Sequence, residues 1–271
     1  MLANFLSLKK TITLVFTVLI FSSCDKEIPF SGLKDEFKLV SSKYGATYKI
    51  TVALPENYNS STDKYETIYV LDGKDDFDFV ANKCNEISKQ KGTENVLVIG
   101  IGYGRDRSID YTPTKMSSIT GGAPEFLNFI EGQLIPHIEK NYRADTSRKS
   151  RVIMGHSYGG LFGVYSFSVR NNIFGNYILL SPSLWFDNFV SFKIEETNRD
   201  KNKSNEQLVF MGIGNDETED RMKVPFERFH GTLRDNYRNI KLVKNFESNT
   251  THMSSKNPNI IKGLQYYFEN R

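Results

Sequence analysis

The chain reads as an α/β protein with a mostly parallel central sheet and helices on both faces. Three observations predict this. Short apolar runs recur along the chain with amphipathic stretches between them. Parallel strands buried on both faces need such continuous runs, and they need helical crossovers to connect them. Around residue 157, Val152-Ile-Met154 reads as a strand end, Gly155-His-Ser-Tyr-Gly-Gly160 as a turn, and the following Leu-Phe-Gly-Val-Tyr-Ser166 as a helix with a small-residue face. Finally, 271 residues with 39% hydrophobic and 25% charged content suit a single globular α/β domain.

The first segment is a targeting sequence. Lys9 and Lys10 precede an apolar run of 11 residues, Thr11 to Phe21. Spanning a bilayer takes about 20 residues, so the run suits a signal-peptide core. Ser22-Ser23-Cys24 then resembles a bacterial lipobox, with Phe21 where leucine is usual. The expectation is a lipoprotein signal peptide over residues 1–23, cleavage before Cys24, and lipid attachment to the Cys24 thiol. The chain would then be anchored to a bacterial membrane on its periplasmic or cell-surface side. An ordinary secretory signal or an uncleaved anchor are the alternatives. Removing Lys9 and Lys10 leaves 33 basic against 32 acidic residues, too balanced for a nucleic-acid partner. With Cys24 lipidated, Cys84 has no partner for a disulfide. No Cys/His cluster has metal-ligand spacing, so neither a metal nor another cofactor is expected.

Residues 24–40 are polar and read as a tether, with the catalytic domain over 41–271. Within it, Thr47–Leu54 alternates like a half-buried strand, and Thr67–Leu71 and Val96–Ile101 are buried strands flanking a helix over Phe77–Gln90. A long loop, Gly102–Gly122, leads to a helix over Pro124–Tyr142, with Pro136 expected to kink it. After the turn at 157, Tyr177–Leu180 is a buried strand, and Glu195–Glu206 reads as a polar surface linker. Leu208–Ile213 and Ile240–Phe246 are strands around a helix over Val224–Asn236, and Asn259–Glu269 closes the chain with a helix.

Gly155-x-Ser157-x-Gly159 is the nucleophile-elbow pattern of α/β-hydrolases. The serine sits on a strained strand-to-helix turn, where a side chain at either glycine would collide with its neighbours. Such a serine needs an acid and then a histidine later in the chain. Of four histidines, His137 precedes the serine in a helix, His156 lies inside the elbow, and His230 falls in a helix. His252 follows the last strand, where the general base belongs. The loop after Gly214 offers Asp216, Glu217, Glu219 and Asp220. Asp216 and Glu217 are near enough to the strand end, and their spacing does not separate them. For the oxyanion, the Tyr158 amide is one donor, and the loop after Leu71 supplies Gly73 or Lys74 as the other.

These landmarks together resemble the esterase D-like family of α/β-hydrolases, in particular its bacterial branch of trilactone-siderophore esterases. They are Tyr69-Val-Leu-Asp-Gly73, Gly100-Ile-Gly-Tyr103, Arg107-x-x-Asp110-Tyr-Thr-Pro113, Gly155–Gly160, Ser181-Pro-Ser-Leu-Trp185 and His252. The resemblance spans about Tyr44 to Phe268 and implies the α/β-hydrolase fold. Counted from Gly214, it places the acid on Glu217, with Asp216 as the alternative. Some members of the branch work with a Ser–His dyad. The resemblance also implies substrate contacts at Arg107 and Trp185, holding an anionic or aromatic acyl group. A structural arginine–carboxylate pair and a packing tryptophan are the equally weighted alternatives.

The implied activity is a serine carboxylesterase with a small-molecule or glycan ester as substrate: siderophore lactones, or acetyl and feruloyl groups on polysaccharides. An acyltransferase working through the same acyl-enzyme and an inactive, binding lipoprotein are the competing readings.

Overall fold

The computed structural model describes residues 28–271. The expected signal peptide and Cys24 lie outside them. Eight strands form one sheet, β1 (Lys34–Val40), β2 (Thr47–Ala53), β3 (Thr67–Val70), β4 (Leu97–Ile101), β5 (Arg151–His156), β6 (Asn176–Leu180), β7 (Gln207–Gly214) and β8 (Ile240–Glu247), in the order β1-β2-β4-β3-β5-β6-β7-β8. The β1–β2 and β2–β4 pairings are antiparallel and all others parallel. This is the α/β-hydrolase architecture.

Strand alternation divides the core in two. On one face, Tyr69, Ile99, Ile153, Leu179 and Met211 pack with Phe126, Phe162 and Phe226. These three come from α3 (Ala123–Phe129), α5 (Tyr158–Arg170) and α7 (Val224–Asn236). On the other face, Ile68, Val70, Val98, Met154 and Phe210 pack with α1 (Gly73–Lys91) and α8 (Lys256–Asn270). Cys84 of α1 is fully buried in this second layer, where burial pushes its thiol far above the usual range.

Four segments differ from the sequence reading. The long loop expected over Gly102–Gly122 carries a short helix, α2 (Arg107–Tyr111). The tether expected over 24–40 ends early, because Lys34–Val40 is the edge strand β1. Its outer positions are charged and exposed, and only Phe37 and Leu39 reach the core. Charge on an edge strand discourages pairing with other chains, and it also hides the strand from a hydrophobicity pattern.

The expected linker 195–206 belongs mostly to α6 (Phe186–Asn202). Its buried face is polar. Glu195 is 1% exposed and accepts from Arg199 and from Tyr237 Oη at 2.9 Å, while Asn202 donates to the Ser168 carbonyl at 2.7 Å. A polar buried face leaves no helical apolar period to read.

The kink expected at Pro136 takes another form. Proline mid-helix deprives the Gly132 carbonyl of its donor and crowds it. The chain inserts a π-helical turn over Ile130–Leu134 between α3 and α4 (Ile135–Asn141), and the backbone stays helical across both junctions.

The sheet order reverses at β3: β4 adds on one side and β5 on the other. The crevice outside the C-terminal ends of β3 and β5 is where open α/β sheets bind ligands. Ser157 follows β5 directly, and Asp72 lies two residues beyond the end of β3.

Candidate active site

Ser157 joins β5 to α5 with φ 61° and ψ −116°. This left-handed backbone is costly for a non-glycine residue and is held by the packing around it. The two motif glycines make it possible. A Cβ on Gly155 would come within 2.6 Å of the Gly159 backbone, and one on Gly159 would come within 3.2 Å of Asp72 Oδ2. Ser157 opens into a cleft of about 430 Å³, shared with Tyr158, Ser183, Trp185, Arg221 and His252. Its Oγ lies 3.3 Å from Ser183 Oγ. In an unliganded site the serine–histidine contact is often loose and tightens with substrate.

The His252 ring is fixed from its other side. Nδ1 lies 2.8 Å from Glu217 Oε2. Glu217 Oε1 accepts from Ser181 Oγ at 2.6 Å and from the Gly214 amide at 3.0 Å. The Glu217 side chain is 1% exposed. Burial alone would raise its carboxyl pKa, but the hydrogen bonds from His252, Ser181 and Gly214 outweigh it and hold the group below the usual carboxylate range. Asp216 is exposed, and its amide donates to the Thr250 carbonyl at 2.9 Å. Of the two carboxylates left open by spacing, the structure brings Glu217 to His252.

His156 has a role the sequence did not suggest. Its ring is buried beside the His252 ring, with centroids 4.6 Å apart, and Nε2 lies 2.9 Å from the His252 carbonyl. Burial, and next the neighbouring His252, push the His156 ring down to about 3. The neutral ring therefore donates from Nε2 to that carbonyl and anchors the loop carrying the base. Ser181 and Ser183 were also missed as site groups. The signal was present in Ser181-Pro-Ser-Leu-Trp185 after β6, but a hydroxyl that acts through a carboxylate has no spacing signature. His137 stacks on Phe37 (centroids 4.5 Å), and His230 lies on α7; neither lines the Ser157 cleft.

The loop after β3 carries Gly73 and Lys74, the residues expected to supply the second oxyanion donor. Gly73 and Lys74 open α1 and line a separate cleft of about 480 Å³ with Lys49 and Tyr103. A Cβ on Gly73 would lie 2.4 Å from the Ile101 amide, so the residue is packed tightly against β4. What the loop presents to the elbow is Asp72. Its amide donates to Tyr111 Oη at 2.9 Å, and its carboxylate takes both Nε (2.8 Å) and Nη2 (2.9 Å) of Arg107. Tyr158, the first residue of α5, places its amide beside the nucleophile.

Arg107 lines the cleft but is committed to Asp72 and, at 3.3 Å, to the His156 carbonyl. Arg105 is likewise paired with Asp110, which also accepts from Tyr48 Oη at 2.8 Å. Arg107 thus fastens this segment to the end of β3, while Arg105 braces Asp110, which is itself bonded to Tyr48 of β2. Trp185 lines the cleft, with the Arg221 guanidinium carbon 3.7 Å from its ring centroid.

The chain matches the family model described as "Putative esterase" over residues 41–269. It is 30% identical to the ferri-bacillibactin esterase BesA of Bacillus subtilis over 183 residues, 59% of this chain and 62% of that protein. It is 28% identical to the siderophore enterobactin esterase of Emericella nidulans over 174 residues, 55% of this chain and 57% of that protein. The alignments thus span about three fifths of these relatives. Among solved structures, an IroE-like serine hydrolase from Shewanella oneidensis superposes with TM-score 0.78 at 28% identity, covering 88% of this chain and 80% of that one.

Two outcomes follow from the geometry. Glu217→Gln turns an amide toward the imidazole and disfavours the tautomer that leaves Nε2 free to accept the serine proton. Its kcat/KM for a simple ester should fall about 10²-fold or more, while Asp216→Asn stays within about threefold. Steady-state assays of the two variants decide this.

The second outcome concerns acid stability. Because the His156 pKa is depressed in the fold, the unfolded chain binds a proton that the folded chain refuses between the unperturbed value of about 6.5 and about 3. Stability is full above pH 6.5 and falls as the pH drops, by roughly 2 kcal/mol from this group on reaching pH 5. Urea unfolding across that range should show a flatter slope in His156→Asn than in the native chain. Equal slopes would assign the acid loss to other groups.

Proposed function

We propose that this chain, which belongs to the esterase family matched above, is a serine carboxylesterase acting through an acyl-enzyme on Ser157. The observation that carries this reading is the join of a strained serine elbow, a histidine in the same cleft, and a buried carboxylate on the far side of that histidine. Ser157 Oγ attacks the ester carbonyl. His252 takes the serine proton and returns it to the leaving alcohol. Glu217 fixes the ring orientation and stabilises the imidazolium without itself becoming protonated. The Tyr158 amide at the start of α5 donates to the developing oxyanion. Water then attacks the acyl-enzyme and releases the acid.

The substrates proposed are siderophore esters. Support comes from the relatives named as siderophore esterases and from the aromatic and cationic wall of Tyr158, Trp185 and Arg221 around the serine. Phosphonylation of Ser157 by a fluorophosphonate probe, with loss of fluoride, tests the nucleophile. Ser157→Ala should abolish labelling and lower ester turnover by roughly 10⁴-fold. Labelling that persists in the alanine variant would place the nucleophile elsewhere.

We further propose that the catalytic domain is held at a bacterial membrane through lipid on Cys24. The sequence order of two lysines, an 11-residue apolar run and Ser22-Ser23-Cys24 supports this. No helix among the described residues is long and apolar enough to cross a membrane. Acyl chains bury about 0.8 kcal/mol per CH₂ and would supply the hold instead. Fractionation of Cys24→Ser should move the protein from the membrane pellet to the supernatant. Retention in the pellet after signal cleavage would refute the lipid anchor.

A further inference from the structure

The cleft wall carries one arginine without an acid. Arg105 is paired with Asp110 and Arg107 with Asp72. Arg221 makes no ion pair among the described residues, and Glu219, on the same turn, is engaged by Lys223 at 2.7 Å. Arg221 sits on the π-helical turn Glu219–Lys223, between the acid loop and α7. It lies flat enough on Trp185 to bring its guanidinium carbon 3.7 Å from the ring centroid, and both residues line the Ser157 cleft.

Stacking occupies a face of the guanidinium and leaves its in-plane N–H donors free at the edge. Those donors form a rigid fork that matches two coplanar oxygens, a geometry an ammonium group cannot supply. The indole beneath restrains the side chain, so less rotamer freedom is lost on binding. Buried Met222 and the Tyr158 ring, 6.1 Å from the Trp185 ring, give the rest of this wall an apolar character.

We propose that Arg221, held on Trp185, is the specificity-determining residue of this site and reads an anionic acyl arm presenting two coplanar oxygens, such as a carboxylate, catecholate or hydroxamate edge. The inference deepens the esterase reading by naming the acyl class. It moves recognition from Arg107, whose fork is filled by Asp72, to an arginine whose fork is open.

Trp185 is the single tryptophan of the chain, so its fluorescence reports on this wall directly. The intact protein is titrated with benzoate, which carries two coplanar anionic oxygens, and with benzamide, its neutral counterpart of similar shape. Benzoate should give a saturable change and bind about tenfold tighter than benzamide, the size expected for charge-assisted hydrogen bonds. Arg221→Ala should abolish that preference, and Arg221→Lys should restore only part of it because the planar fork is missing. A preference that survives in Arg221→Ala, or no saturable response to benzoate in the native protein, would overturn the proposal. The titration needs no turnover. Loss of the preference in Arg221→Ala together with unimpaired hydrolysis in Ser157→Ala would refute the nucleophile and leave the subsite standing.

Discussion

A buried carboxylate must find hydrogen bonds or lose its charge, and Glu217 is the point where that constraint organises the site. Its two oxygens collect a hydroxyl from the end of β6, an amide from the end of β7, and the imidazole from the loop after β8. Three chain segments distant in sequence are thereby tied at one edge of the sheet. Removing any one donor would leave the carboxylate under-satisfied at almost no solvent exposure. The same bonds keep it ionised, which an acid that orients and charge-balances a histidine must be. The base loop is held from its other side by His156, kept neutral by burial and donating to the His252 carbonyl. The His252 ring is thus located through its side chain by Glu217 and through its backbone by His156.

The loop between β4 and α3 shows how charge is used near the nucleophile. Arg107 closes over Asp72 and the His156 carbonyl, while Arg105 closes over Asp110, itself bonded to Tyr48. Each arginine replaces a contact that a long loop would otherwise lack, and each is thereby spent. A bidentate pair at 2.8 and 2.9 Å leaves little donor capacity for a ligand. The presence of arginines at the substrate edge of a sheet is therefore a poor guide to recognition until their partners are known.

Much of the fold was legible because parallel strands announce themselves. Thr67–Val70, Leu97–Ile101 and Gln207–Gly214 are apolar on both faces, and each was placed from that run alone. Segments whose burial is polar were not. Glu195 and Asn202 are buried against Arg199 of the same helix, Tyr237 at the end of α7 and Ser168 of α5. At the site, Ser157 and His252 follow from motif and chain order. Glu217 against Asp216 does not, because one residue of difference reverses which carboxylate faces inward, and the turn after β7 sets that.

The elbow itself explains why so much surrounding structure is committed before any substrate arrives. A left-handed serine persists only where its alternatives are blocked. At Ser157 the amide donates to the Leu180 carbonyl at 2.9 Å, and the carbonyl accepts from Leu161 at 2.9 Å and from Ser183 at 3.2 Å. A Cβ on Gly155 would run into the Gly159 backbone, and one on Gly159 would crowd Asp72 Oδ2. The peptide groups around the serine are thus occupied by β6 and by the first turn of α5, and relaxing φ would break several bonds at once. On the esterase reading proposed above, that rigidity keeps the Tyr158 amide aimed at a charge that exists only in the transition state, since a preorganised donor need not reorient as the charge forms. Strain at one residue, held by hydrogen bonds from the next strand, becomes positional precision at the reacting atom.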